Sequence, residues 1–278
     1  MLMIPKCNLH THTVFSDGAH TPEEVVQEAI RQGLHTIGFS DHSYTAFDEE
    51  PCRSPEQLTL ARTEILKLKD QYSGQIRILC GLEQDFYSEP SIEEYDYLIG
   101  SVHYVLRNGL YHAVDLSADA VRKSVAEHFG GDIYAYTKAY YETVAQVAEK
   151  TSCQIVGHFD LVEKFNEKDS MFSTNDYRYR RPMIDALDEL LRRDVIFEIN
   201  TGAISRGYRT TPYPSPYVLR RIAEKRGRVM LNSDAHRKED LTVAFETAVQ
   251  YAKSCGVGGF TVLGEHGWEL LPMRALSR

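Results

Sequence analysis

Residues 7–42 read CNLHTHTVFSDGAHTPEEVVQEAIRQGLHTIGFSDH, and this stretch holds one strand, helix, strand unit. Cys7–His12 is a short apolar run that ends in two histidines. Thr21-Pro22-Glu23-Glu24 is a helix start, with Thr21 as N-cap, Pro22 at the first helical position and Glu24 closing a capping box. Gly33 ends that helix, and His35–Asp41 is the next strand. The same alternation continues along the chain. Further strands are expected at Ile76–Asp85, Tyr97–His103, Gln154–Phe159, Val195–Asn200, Val229–Ser233 and Gly259–Val262. Ser54-Pro55-Glu56 opens a second helix in the manner of Thr21, and helical periodicity covers Asp132–Lys150, Tyr179–Arg193, Ser215–Lys225 and Leu241–Ser254. Strand and helix alternating about seven times predicts an α/β fold with parallel strands, either a barrel or an open doubly wound sheet. Neither G-x-G-x-x-G nor G-x-x-x-x-G-K-[ST] occurs, which favours the barrel over a nucleotide-binding sheet.

The 278 residues carry 31 Lys+Arg against 40 Asp+Glu, a net charge of −9 that argues against a nucleic-acid partner. No apolar run approaches the roughly 20 residues needed to cross a bilayer, and the N-terminus lacks a charged region followed by an apolar one. A cytoplasmic protein with no membrane partner is expected. Cys7, Cys52, Cys80, Cys153 and Cys255 are scattered without a C-x-x-C pair, so they read as free thiols, two or three of them buried in strands.

Six of the eleven histidines fall at or just beyond strand C-termini, where a parallel barrel builds its active site. His10 and His12 end the first strand, and His42, His103, His158 and His236 follow later ones. Asp17, Asp41, Glu83, Asp85, Asp160 and Asp234 join them at the same level. Residues i and i+2 of a strand point to one side, so His10 converges with His12 and Asp234 with His236. A lone histidine at a strand end is usually a hydrogen-bonded core residue, but coincidence across five strands points to metal ligation. Imidazole and carboxylate donors without sulfur suit Zn, Fe or Mn, and nine candidates exceed what one ion needs, so two or three divalent ions are expected. His20, His35, His112, His128 and His266 lack this placement and read as structural or surface residues. Asp41 alternates away from His42 and is expected to support an imidazole rather than to ligate.

The segments His10-Thr-His12 with Ser16-Asp17-Gly18, Phe39-Ser40-Asp41-His42, Gly81-Leu82-Glu83, Gly100-Ser101-Val102-His103, Gly157-His158-Phe159-Asp160 and Asn232-Ser233-Asp234-Ala235-His236 together resemble the PHP (polymerase and histidinol phosphatase) superfamily. Within it, the chain looks most like the monofunctional histidinol-phosphate phosphatases. The resemblance implies a single domain over residues 1–278, a distorted, TIM-like (β/α)₇ barrel with metals at its C-terminal mouth. It implies that His10, His12, Glu83 and Asp234 hold one ion, that Glu83 bridges to a second held by His103 and His158, and that Asp17, His42 and His236 hold a third. Some relatives place histidine where this chain has Asp17.

The implied reaction is hydrolysis of L-histidinol phosphate in histidine biosynthesis, by attack of a metal-bound hydroxide on phosphorus. Another phosphomonoester or a nucleotide phosphodiester is the enzymatic alternative, and a metal-stabilised barrel without turnover is the non-enzymatic one. Arg206 is the first candidate for a catalytic phosphate clamp and Lys164 the second, because guanidinium and ammonium groups neutralise phosphoryl oxygens. The Tyr177–Arg181 run reads as a solvated helix start. Asp160 or metal-bound water would protonate the leaving alkoxide. Asp85, Phe86, Tyr44 and Tyr104 are candidates for binding the ammonium and imidazole of the substrate.

Overall fold

The computed structural model describes residues 4–48, 50–52, 54–89 and 94–276. Met1–Met3, the start of the stretch read for a leader, lie outside the described residues. In chain order the elements are β1 (Cys7–Asn8), α1 (Pro22–Arg31), β2 (Thr36–Phe39), α2 (Pro55–Gln71), β3 (Arg77–Asp85), β4 (Tyr97–Ser101), β5 (Tyr104–Arg107), β6 (Leu110–Ala113), α3 (Ala118–His128), α4 (Ile133–Val144), α5 (Val147–Thr151), β7 (Ile155–Val156), α6 (Tyr177–Leu191), β8 (Ile196–Asn200), α7 (Gly202–Ser205), α8 (Pro216–Glu224), β9 (Arg228–Asn232), α9 (Phe245–Ser254), β10 (Gly259–Gly264) and β11 (Gly267–Pro272). Seven strands pair in parallel in the order β1-β2-β3-β4-β7-β8-β9. A parallel bridge between Thr11 and Ala235 brings the two edges together, so the sheet curls into a nearly closed, distorted TIM-like barrel.

Strand periodicity sorts the side chains into two layers. Ile37, Phe39, Ile78 and Cys80 face outward against Val25, Val26 and Ala29 of α1 and Ile65 and Leu68 of α2. Phe197, Ile199, Val229 and Leu231 face α4, α6, α8 and α9. The alternate residues Leu79, Tyr97, Ile99, Ile155, Ile196 and Met230 fill the barrel interior. Because both faces are covered, these strands read as almost continuous apolar runs. Continuing the inward parity of β3, β4 and β8 toward their C-termini delivers Glu83, Ser101 and Glu198 to the barrel axis.

Tyr97 occupies the interior space left open by Gly38 and Gly81, and its hydroxyl donates to the carbonyls of Leu9 and Phe39. A Cβ on Gly81 would collide with the Tyr97 ring. Gly81→Ala is therefore expected to lower stability by about 1–3 kcal/mol through overpacking. Chemical denaturation checks this, and an unchanged midpoint would show that the ring can move aside.

The antiparallel hairpin β10–β11 closes the opposite end from the strand C-termini. Its Val262, Leu263 and Trp268 pack against the interior cluster, and Arg77 at the start of β3 donates to the Leu263 carbonyl. A second antiparallel hairpin, β5–β6, follows β4 directly, and with α3 and β11 it was not among the sequence expectations.

Local signals are realised to different degrees. Thr21 and Glu24 make the reciprocal capping box, and Gly33 takes φ +74 at the helix end. Ser54 caps α2 without a side-chain hydrogen bond, although Gln57 stands at the third helical position; only its carbonyl accepts, from Gln57 N at 3.1 Å. The Asp132–Lys150 periodicity is split into α4 and α5 where Gln146 departs from helical geometry. The final helix starts at Phe245 rather than Leu241, because Ala244 adopts a left-handed φ of 55°. All five cysteines are buried and free, but only Cys7 and Cys80 lie in strands.

Candidate metal centre

Glu83 is the hub of the barrel mouth. Its side chain is 1% exposed, and its two oxygens face different sets of imidazoles. Oε2 lies 3.3 Å from His10 Nε2, 3.6 Å from His12 Nε2 and 3.0 Å from His42 Nδ1. Oε1 lies 3.0 Å from His158 Nε2 and 3.4 Å from His103 Nε2, and accepts from Ser101 Oγ at 2.6 Å. Asp234 Oδ1 completes the first set, 3.6 Å from His10 Nε2 and 3.2 Å from His12 Nε2. Asp17 approaches from the first loop, with Oδ1 3.5 Å from His12 Nδ1 and 3.6 Å from His42 Nε2, and Oδ2 3.0 Å from His236 Nε2.

These spacings fit metal ions. A tetrahedral ion with bonds of about 2.0–2.2 Å sets its ligand atoms roughly 3.3–3.6 Å apart. The four imidazole–carboxylate separations among His10, His12, Glu83 and Asp234, from 3.2 to 3.6 Å, match that range within about 0.1 Å. His10 Nε2, both ring nitrogens of His12, and Glu83 Oε2 are buried polar atoms without a hydrogen-bond partner, which is costly unless an ion meets them. Three donor groups can be drawn: His10, His12 and Asp234; His42, Glu83 and His103; and His12, Asp17, His42 and His236. His12 and His42 thus each border two groups.

Supporting carboxylates fix the rings. His10 Nδ1 donates to Glu198 Oε1 at 2.7 Å, which leaves its Nε2 lone pair aimed at the centre. Glu198 also accepts from the His158 backbone N–H (3.0 Å), Asn200 Nδ2 (2.8 Å) and Asn232 Nδ2 (2.9 Å). His103 Nδ1 is turned in the same way by Asp85 Oδ2 at 3.1 Å. Sequence reasoning passed over Glu198, although a single carboxylate at an inward position of the buried strand Ile-Phe-Glu-Ile-Asn was a usable signal.

The charges are strongly coupled. Burial opposes a charged imidazole, yet Glu198, Glu83 and Asp234 hold His10 well above its ordinary pKa, and Asp17 and Glu83 do the same for His42. Against the same burial penalty, Glu83 and Asp85 push His103 up to about 10. His12 moves down to about 3, through burial and its neighbours His236 and His42. Burial alone would raise Glu83 and Asp234, but the surrounding cations keep both well below the carboxylate range.

The metal-free protein therefore carries a proton on His103 at neutral pH, and ligation at this ring must expel it. The sign follows: apparent ion affinity rises with pH and falls on acidification. The stabilising pairing of His103 is present in full below about pH 6.5 and is lost as pH climbs through about 10. Zinc titration of metal-free protein by calorimetry near neutral pH, in buffers of different ionisation enthalpy, should show net proton release. Buffer-independent heat would contradict it.

A PHP domain model matches residues 8–202. The chain belongs to the PHP domain family. Among its PHP relatives, it is 30% identical to a Deinococcus radiodurans protein named "Probable histidinol-phosphatase", over 94% of this chain and 96% of that one. A Schizosaccharomyces pombe protein of the same name is 28% identical over 84% and 81%. The PHP barrel also resembles the crystal structure of histidinol phosphate phosphatase from Lactococcus lactis complexed with zinc, L-histidinol and phosphate. That likeness has a TM-score of 0.72 at 19% identity, covering 95% of this chain and 99% of that one.

Several expected roles need correction. Asp234 has φ 51°, so it and His236 meet through a left-handed turn and not through strand alternation. Asp41 supports no imidazole: it accepts from Thr13 N and Oγ1 and from Ser16 Oγ, and so holds the loop that carries Asp17. Asp160 is fully buried and accepts from Ser215 N at 2.6 Å, beside Arg209 and Glu163, so its charge is engaged by the protein itself. Lys164 is tied to Asp115, through its carbonyl at 2.8 Å and Oδ2 at 3.3 Å. Asp85 serves His103, Phe86 packs on Tyr87 and the outer core, and Tyr44 packs toward Cys52, Leu58 and Leu82. Tyr104 is buried and donates to Asp48 Oδ2 at 2.7 Å. Arg206 does stand at the mouth, with Nη2 3.0 Å from Asp234 Oδ2 and Nη1 2.9 Å from His236 Nδ1. No described helix is long and apolar enough to cross a membrane.

Proposed function

We propose that this chain is a metal-dependent phosphomonoesterase that hydrolyses L-histidinol phosphate to L-histidinol and phosphate. The observation that carries the chemistry is Glu83, a buried carboxylate whose two oxygens face five imidazoles from four strand ends. The substrate rests on the relatives named for that activity. His10, His12, Glu83 and Asp234 would hold one ion, Glu83 with His103 and His158 a second, and Asp17, His42 and His236 a third. Zinc, iron and manganese all suit these donors. When bound, such ions supply positive charge to phosphoryl oxygens and lower the pKa of water from 15.7 towards about 7.

The chain's own residues then orient and neutralise. Glu198 and Asp85 keep the Nε2 atoms of His10 and His103 aimed inward. Arg206, anchored on Asp234, directs a guanidinium to the mouth, where it can take two phosphate oxygens. No side-chain nucleophile is needed, because phosphoryl transfer depends mainly on positioning and charge.

Steady-state turnover of L-histidinol phosphate, measured beside a metal count on one preparation and repeated after chelation, tests the reading. Activity that requires bound metal is expected, and metal-replete protein inert toward this substrate would refute it. Arg206→Ala should raise KM at least about tenfold with metal content retained. An unchanged KM would remove Arg206 from the phosphate.

A further inference from the structure

Resting on that reading of the substrate, we infer that Asp115 is the specificity-determining residue that binds the ammonium group of the phosphomonoester, beside the metal centre. Asp115 follows the β5–β6 hairpin, which returns to the mouth through a bond from Val114 N to the His103 carbonyl at 2.9 Å. On its other side stands Lys164, six residues beyond His158, with Nζ 2.8 Å from the Asp115 carbonyl and 3.3 Å from Oδ2. Tyr208, two residues past Arg206, covers the Lys164 ammonium at 4.9 Å from its ring centroid. Asp115 therefore stands where segments from three strand ends converge. Its charge reaches His103, His158 and Arg206, residues that ring the mouth.

A carboxylate in this place needs a reason. It belongs to none of the three donor groups. Its side chain stays about one-third exposed (32%), so it is not consumed by packing. Beside a site that accepts a phosphate anion, it offers a partner to a substrate that has a cation next to the phosphate. In histidinol phosphate the ammonium sits on the carbon adjacent to the ester-bearing carbon, so its receptor must border the metals, as Asp115 does. The fold already displays the contact in miniature: Lys164 places an ammonium against the carboxylate and carbonyl of Asp115 under an aromatic ring.

Asp115→Asn keeps the shape and removes the charge. It should cut kcat/KM for L-histidinol phosphate by about 10–100-fold, mostly through KM, while altering turnover of the deamino analogue, imidazolylpropyl phosphate, by no more than about twofold. Inhibition by L-histidinol should weaken by a similar factor, and inhibition by inorganic phosphate should not. This internal comparison separates the role from a general loss of structure, and Asp115→Glu should recover part of the discrimination. Equal losses on both substrates, or no loss on either, would overturn the assignment while leaving the phosphatase reading intact. Failure of the unaltered enzyme to hydrolyse histidinol phosphate would overturn both.

Discussion

Glu83→Gln should lower kcat by about 10³-fold or more and should release at least one bound ion per chain, because among the described residues no other side chain faces both sets of imidazoles. The amide is nearly isosteric, so the effect isolates charge. A neutral group cannot hold two cations close together. In the metal-free protein it would also leave His10, His42 and His103 without their shared counter-charge, at a cost of about 3–5 kcal/mol. Elemental analysis beside steady-state kinetics checks the prediction. A variant with full metal and more than about a tenth of the activity would mean that Glu83 does not bridge.

Glu198 should show the second large effect, and two substitutions separate its two tasks. Glu198→Leu strips the acceptors from His10, the His158 backbone, Asn200 and Asn232 in a fully buried place. The expected loss is about 3–5 kcal/mol, or roughly 10 °C in Tm for a chain of this size. Glu198→Gln preserves shape but removes the charge that holds the proton on His10 Nδ1. Affinity for the ion at His10 should then fall about 10–100-fold with a smaller change in Tm. Competition with a chromophoric chelator measures this directly. Identical affinity in the Gln variant would reduce Glu198 to a packing residue.

The sequence was most legible where one physical rule acts alone. Thr21 and Glu24 specify a helix start locally, and the structure contains that box atom for atom. The clustering of His10, His12, His42, Glu83, His103 and His158 followed from their positions at strand ends. It was harder to read wherever the chain leaves the ladder. Cys7 and Leu9 both face the barrel interior, so strict alternation would have turned His10 and His12 outward. The regular pairing instead stops after Asn8, whose side-chain amide binds Ser233 and the Leu241 carbonyl and whose Oδ1 accepts from His10 N. β7 likewise ends at Val156, and the following segment coils into a tight turn at Leu161–Glu163. The surroundings of Asp160 and Lys164, which follow that strand, could therefore not be read from it. Asp115 had no local signal, since its meaning comes from a lysine 49 positions away.

The C-terminal hairpin has a consequence for traffic. With Val262, Leu263 and Trp268 stoppering the lower end and apolar side chains filling the shaft, the histidine cluster is reachable from one direction only. Whatever diffuses in must back out through the same doorway.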